Sequence, residues 1–290
     1  MEQCEEEIII PKIIVEKKIT DKEMLKLKGT FFTENGFIIY NSSIDIYNKD
    51  NEILILYRKK NIPIKLKELA INNLEYIVKQ PSNNRGIASG EFNEIKYKEI
   101  TGYNAKKISK FKGYRFKKNG DIGKYKISMP VYSGIIGFFN YTNPKTKTKE
   151  MRPTSSIKTE KNKKKFEKTF PFVEWVNDQY KKLIPTHYKE MKNETSEKYT
   201  ISNTIFSTIT VNKNFQTATH KDKKDIGKLG NLIVLFKGEV KGGYILFPQY
   251  KIGIKVQDRD FLIMNVHEYH TNTSISGQGD RFSFVLYLLK

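Results

Sequence analysis

Cysteine is almost missing from this chain. Its 290 residues hold one, Cys4, so an internal disulfide framework and a cysteine metal site are both excluded. No apolar run approaches the roughly 20 residues that span a bilayer, and no membrane partner is expected. The first residues, Met1-Glu-Gln-Cys-Glu-Glu-Glu7, are acidic where a secretory signal peptide is basic. An intracellular, reducing location is the expectation, with nucleus and cytoplasm not separable. Histidine is scarce as well: only His187, His220, His267 and His270 occur.

What is abundant is positive charge and aromatic surface. The formal net charge is +20, and 18 Phe and 17 Tyr stand against one Trp. A Lys-, Ile- and Asn-rich composition of this kind also follows from an AT-rich genome, so part of the charge is compositional. The remaining excess suits a polyanion, because neutralising phosphates releases counterions; nucleic acid is the expected partner. With 38% hydrophobic residues the chain can bury a sizeable core.

Periodicity divides the chain without a Pro/Ser/Gly linker, which favours a single domain. Residues 1 to about 20 read as an extended arm or edge strand. Phe37–Tyr40 and Ile53–Tyr57 read as strands, and Ile64–Lys79 has helical spacing, with Leu66, Leu69, Ala70 and Leu74 on one face. Pro81–Gly86 reads as a loop, and residues 100 to 130 carry no clear pattern. Apolar residues from Phe166 to Leu183 predict helix, with Pro171 ending one helix or starting the next and Pro185 closing the segment. From Thr200 onward come short strands: 205–211, 232–236, 244–247, 252–256, 261–266 and 282–289. Glycine-bearing turns separate them. Regular short strands of this kind predict a jelly roll or barrel, with the upstream helices packed outside it as an α+β domain.

The scarce histidines fall beside those strands. In His220-Lys-Asp222 a two-residue spacing puts an imidazole and a carboxylate on one face of an extended segment. A third ligand must come from a strand distant in sequence. His270, directly after the apolar strand 261–266, is favoured because it opens the polar stretch Thr271-Asn-Thr-Ser-Ile275 leading to Arg281; His267 is the alternative. Two histidines and one carboxylate leave half of an octahedral Fe(II) shell open for a bidentate 2-oxo acid and dioxygen. Arg281 and Ser283 share a face at the start of the last strand. There they can clamp a far carboxylate by a bidentate pair and a hydroxyl hydrogen bond.

Several stretches resemble the TET/JBP branch of 2-oxoglutarate dioxygenases. They are Thr219-His-Lys-Asp-Lys-Lys-Asp225, Gly242-Gly-Tyr-Ile-Leu-Phe-Pro248, His270-Thr-Asn-Thr-Ser-Ile275 and Arg281-Phe-Ser-Phe-Val-Leu-Tyr287. Ser133–Asn140 and Arg152-Pro-Thr-Ser-Ser156 are similar to the same group, and Asn84-Arg-Gly86 more weakly. The resemblance implies a double-stranded β-helix core over residues 101–290. Residues 1–100 would be an N-terminal extension contributing strands and a helix to the same domain. It implies Fe(II), 2-oxoglutarate and dioxygen, with metal ligands at His220, Asp222 and His270 and the co-substrate arginine at Arg281. It further implies a base contact at Asp225 and oxidation of a 5-methylpyrimidine, 5-methylcytosine or thymine, in DNA. The same iron site would also serve a prolyl or lysyl hydroxylase acting on protein. A catalytically silent nucleic-acid-binding jelly roll is the non-enzymatic alternative.

Overall fold

A computed structural model describes residues 9–83, 85–102, 114–116, 122–126, 128–222 and 226–289. Its strands are β1 (Lys12–Val15), β2 (Ile38–Tyr40), β3 (Ile44–Asn48), β4 (Ile53–Arg58), β5 (Tyr114–Phe116), β6 (Ile122–Lys126), β7 (Ser133–Thr142) and β8 (Lys149–Pro153). They continue as β9 (Thr208–Lys213), β10 (Leu229–Lys237), β11 (Lys241–Gly242), β12 (Ile245–Phe247), β13 (Ile252–Ile254), β14 (Asp260–Asn265), β15 (Thr271–Asn272), β16 (Ile275–Ser276) and β17 (Asp280–Tyr287). Nine of them form one sheet in the order β1-β3-β4-β14-β10-β17-β9-β7-β8, and four form a second in the order β15-β12-β13-β2. The large sheet is antiparallel except for the β1–β3 edge.

Alternation along the strands decides which side chains meet which layer. On the outer face Phe282, Phe284 and Leu286 of β17 join Ile233 and Leu235 of β10 and Ile209 and Val211 of β9. The helices Ile64–Leu74 and Phe170–Leu183 cover this face with Ala70, Ile71, Leu74, Phe172, Val173 and Val176. On the inner face Leu232, Val234 and Phe236 of β10 and Leu262 and Met264 of β14 meet Ile245, Phe247, Ile252 and Ile254 of the smaller sheet. Two sheets packed face to face with helices on one outer side make an α+β jelly roll, as the strand pattern predicts.

The differences from the sequence reading have local causes. The predicted helix over 64–79 is α-helical only to Leu74 and continues as a 3-10 turn, Glu75–Val78. The apolar run 166–183 is two helices, Glu160–Glu167 and Phe170–Leu183. Pro171 lies in the first turn of the second, where its missing N–H is no loss, and the Thr169 hydroxyl donates to the Phe166 carbonyl at the break. Pro185 does not close the helical region: it starts a further helix, Pro185–Asn193, for the same reason. The ten-residue strand β7 pairs with β9 over Ser133–Gly137 and with β8 over Phe138–Thr142, although no strand was expected there. Thr271 and Asn272, expected in a polar turn, form β15 and are buried. Asn272 Oδ1 accepts from the backbone N–H and the hydroxyl of Thr217, and Thr271 donates to the Thr217 carbonyl.

Phe284 is fully buried, with its ring packed edge-on against Phe172 at 5.6 Å, tying the last strand to the covering helix. Phe284→Ala is expected to cost about 3–5 kcal/mol of unfolding free energy in a urea titration. A loss below about 1 kcal/mol would contradict the packing described.

Candidate metal centre

His220 and His270 face each other across an isolated antiparallel bridge, exchanging both backbone hydrogen bonds (His220 N to His270 O 3.1 Å, His270 N to His220 O 3.0 Å). Directly opposed residues point their side chains to the same side, and the two rings lie 4.4 Å apart between centroids. One step further along, the Asp222 backbone N–H donates to the Val266 carbonyl, which brings the carboxylate under both imidazoles. Asp222 Oδ1 lies 3.7 Å from His220 Nε2, and Oδ2 lies 3.5 Å from His270 Nε2. Among the described residues these three offer ligand atoms that all lie within 4.8 Å of one another.

The other ring nitrogens are committed elsewhere. His220 Nδ1 lies 2.7 Å from the Ala218 carbonyl, and His270 Nδ1 lies 3.0 Å from the Glu268 carbonyl. A carbonyl only accepts, so each Nδ1 carries the proton and donates, and each Nε2 is turned toward Asp222. This is the orientation that metal-bound histidines take. Burial pushes the His220 pKa down to about 4; charge on His270 adds to this, against the pull of Asp222. Burial alone would raise Asp222. The hydrogen bond and charge of His270, with the charges of His220 and Arg85, outweigh it and hold the carboxyl at about 2. At neutral pH His220 is therefore neutral and Asp222 ionised, so these two donors need lose no proton to take a dication. The set fits a divalent metal with open positions.

His267 stands apart from this cluster. It sits in the turn after β14, its backbone N–H donating to Asn265 Oδ1, and its Nε2 is buried without a hydrogen-bond partner. Asp225 lies outside the described residues.

Arg281 pairs opposite Phe236 of β10, and Ser283 opposite Val234, so both point to the inner face. Arg281 is only 3% exposed. Its Nη2 donates to the Gly243 carbonyl at 3.3 Å and its Nε is buried without a hydrogen-bond partner. No carboxylate pairs with it among the described residues. Burial lowers its pKa to about 10, still a cation at neutral pH. Gly243 makes room for it: a Cβ there would lie 2.8 Å from Arg281 Nε, and φ is +71°.

A second guanidinium, which the sequence reading did not single out as a site residue, completes the inner surface. Arg85 Nε donates to Ser133 Oγ (2.6 Å), Ser133 Oγ lies 2.5 Å from Asn212 Oδ1, and Asn212 Nδ2 donates to Ser283 Oγ (3.2 Å). Burial lowers the Arg85 pKa, while Tyr287 and Asp222 nearby favour its charge. A cavity of about 680 Å³ is bounded by Ser89, Met129, Asn214 and Ser274, with Lys79 and Lys96 on its wall, and none of Arg85, Ser133, Asn212 and Ser283 lines it.

A jelly roll that holds a His-Asp-His cluster and a buried unpaired arginine defines the class of 2-oxoglutarate- and Fe(II)-dependent oxygenases. Within it, residues 134–290, more than half of the chain, match the Tet_JBP family, the oxygenase domain of the 2OGFeDO superfamily, and the chain belongs to that family. It is similar to thymine dioxygenase JBP1 of Crithidia fasciculata, 30% identical over 143 residues, which are 49% of this chain and 17% of that protein. The corresponding protein of Trypanosoma brucei brucei is 30% identical over 160 residues, 53% of this chain and 19% of that protein. The chain thus spans less than a fifth of the length of these relatives. The solved structure of NgTET1 in complex with 5mC DNA shares the fold, with a TM-score of 0.58 at 14% identity, covering 96% of this chain and 83% of that one. Among the described residues no helix is long and apolar enough to cross a membrane.

The two histidines after β14 can be told apart directly. His270→Ala and Asp222→Ala are expected to abolish tight Mn(II) binding in calorimetric titration, and His267→Ala to leave it within about threefold of the parent. Loss of binding in His267→Ala with retention in His270→Ala would reverse the assignment.

Proposed function

We propose that the protein oxidises the methyl group of a 5-methylpyrimidine, 5-methylcytosine or thymine, in DNA, using Fe(II), 2-oxoglutarate and dioxygen. The observation that carries the oxygenase reading is Arg281. A buried, unpaired cation costs several kcal/mol, and a small dicarboxylate anchored on the metal would supply the missing partner. DNA as substrate is supported by the resemblance to thymine dioxygenase JBP1 and by the net charge of +20.

In this reading His220 Nε2, His270 Nε2 and the Asp222 carboxylate hold Fe(II). The Ala218 and Glu268 carbonyls fix the two rings from behind. When bound, the iron couples activation of dioxygen to decarboxylation of 2-oxoglutarate to succinate. Arg281 receives the far carboxylate of the co-substrate, with the Ser283 hydroxyl beside it. The positive charge of Arg85 adds to the hydrogen bond and charge of His270 and the charge of His220 in favouring the ionised Asp222 carboxylate. The apolar inner core around Phe247, whose ring centroid is 6.3 Å from that of His270, keeps bulk water from one side of the site. A methyl group inside a duplex is out of reach, so the nucleotide must leave the stack, with surface lysines holding phosphates on either side. Asp225, three positions after Asp222, is assigned by resemblance to the extruded base.

Nucleoside mass spectrometry of DNA from cells expressing the parent and Asp222→Ala tests the substrate claim. Oxidised methylpyrimidine nucleosides are expected with the parent alone, and identical profiles would overturn it. Succinate release stimulated by peptide pools and not by DNA would move the substrate to protein. Gly243→Ala is expected to displace the Arg281 side chain and weaken 2-oxoglutarate binding about tenfold at unchanged Mn(II) affinity, as read by titration of the metal-loaded protein without oxygen. Unchanged 2-oxoglutarate affinity would remove Arg281 from the role given to it.

A further inference from the structure

Both carbonyls that orient the imidazoles belong to segments held by the N-terminal part of the chain, outside the residues that match the family. The short helix Asp21–Lys26 is set by a capping box between Thr20 and Glu23 and seated on fully buried Met24. Just before it, Lys17 Nζ lies 2.9 Å from Glu268 Oε2, the side chain of the residue whose carbonyl takes His270 Nδ1. The Tyr250 hydroxyl lies against the same carboxylate; burial first, and then that negative charge, raise the tyrosine's pKa. Within the helix, Asp21 Oδ1 lies 3.3 Å from Nζ of Lys221, the residue between His220 and Asp222. That ammonium also sits 4.3 Å from the centroid of the Tyr269 ring, next to His270. After the helix, the Gly29 N–H donates to the Thr219 carbonyl, and the Thr219 N–H and hydroxyl both donate to the Thr30 carbonyl. The underside is fixed by fully buried Gln249. Its carbonyl accepts from the N–H groups of Lys18 and Ile19, and its Nε2 donates to Ile19 O and Asp21 Oδ1.

The two ligand-bearing segments pair only over a short stretch: the reciprocal His220–His270 bridge, the Asp222 N–H on the Val266 carbonyl, and the bonds of Thr271 and Asn272 to Thr217. The stretch Lys17–Thr30 touches both: Glu268 on one side, Thr219 and Lys221 on the other.

We propose that Lys17 and Asp21 are positioning residues of the metal centre, and that the segment Lys17–Thr30 is a clasp holding the His270 and His220–Asp222 segments in register for metal binding. The proposal rests on the metal-site reading above and assigns the clasp no part in the chemistry. Groups that orient metal ligands typically govern metal affinity by about 10–100-fold. Surface ion pairs as such contribute about 0–1 kcal/mol to folding. Metal affinity should therefore respond to loss of the clasp far more than stability does.

The test is Co(II) binding by the full chain carrying Lys17→Met and Asp21→Ala together, measured by calorimetry and by the ligand-field absorption bands. Val176→Ala serves as the comparison, since it loosens the outer core without touching either ligand segment. The clasp variant is expected to bind Co(II) about tenfold more weakly than the parent with altered bands, Val176→Ala to bind as the parent does, and Lys17→Arg to retain most of the parent affinity. Co(II) affinity and bands equal to the parent's in the clasp variant, or an equal loss in Val176→Ala, would overturn the proposal. A parent protein that binds no Co(II) would instead sink the metal-site reading itself.

Discussion

The site depends on one reciprocal pair of backbone hydrogen bonds, that between His220 and His270. It opposes two imidazoles drawn from distant parts of the chain and puts them on one side, at a separation where two full charges would repel. Burial resolves the conflict by keeping His220 neutral, and Asp222 supplies the one negative charge at the cluster. Much of the surrounding structure bears on this small bridge: β14 delivers the chain to His270 from one side, and β12 takes up β15 on the other.

The inner face of the large sheet changes character along its width, and this separates its structural half from its chemical half. Near β14 and β10 it is packed against the smaller sheet with mainly apolar side chains, the buried Tyr57–Asp260 hydrogen bond being the exception. From β17 through β9 to β7 the same face carries Arg281, Ser283, Asn212 and Ser133, linked in part by hydrogen bonds to each other and to Arg85. Such a network is costly unless its members are satisfied, and the one polar atom left unpaired in it is Arg281 Nε.

How much of this was legible in the sequence follows from the range of each interaction. The late strands and the helix Phe170–Leu183 announce themselves by local alternation and by three- and four-residue spacing. His220 and Asp222 share a face by spacing alone, and Arg281 is conspicuous at the head of an apolar strand. β7 was not read as a strand because Gly134, Gly137 and the adjacent Phe138 and Phe139 interrupt its alternation; it is held by register with β9 and β8, which no local pattern encodes. Arg85 was quoted for resemblance alone because its place beside Ser133 and Asp222 arises from a fold-wide contact. His270 could not be separated from His267 by alternation, since the chain turns between them. The pairing of Lys17 with Glu268 leaves no trace at the level of composition.

In the role proposed for it, the buried guanidinium of Arg281 would also act as a filter on what can occupy the site. A ligand with a single acidic end, held at the metal, would leave that cation without a carboxylate partner while removing any water that solvates it. Such a molecule would be refused through the penalty it leaves behind, even where its own contacts are sound. On that proposal, discrimination between dicarboxylates and the many simple 2-oxo acids of similar shape would reside in one side chain and the bare glycine that admits it.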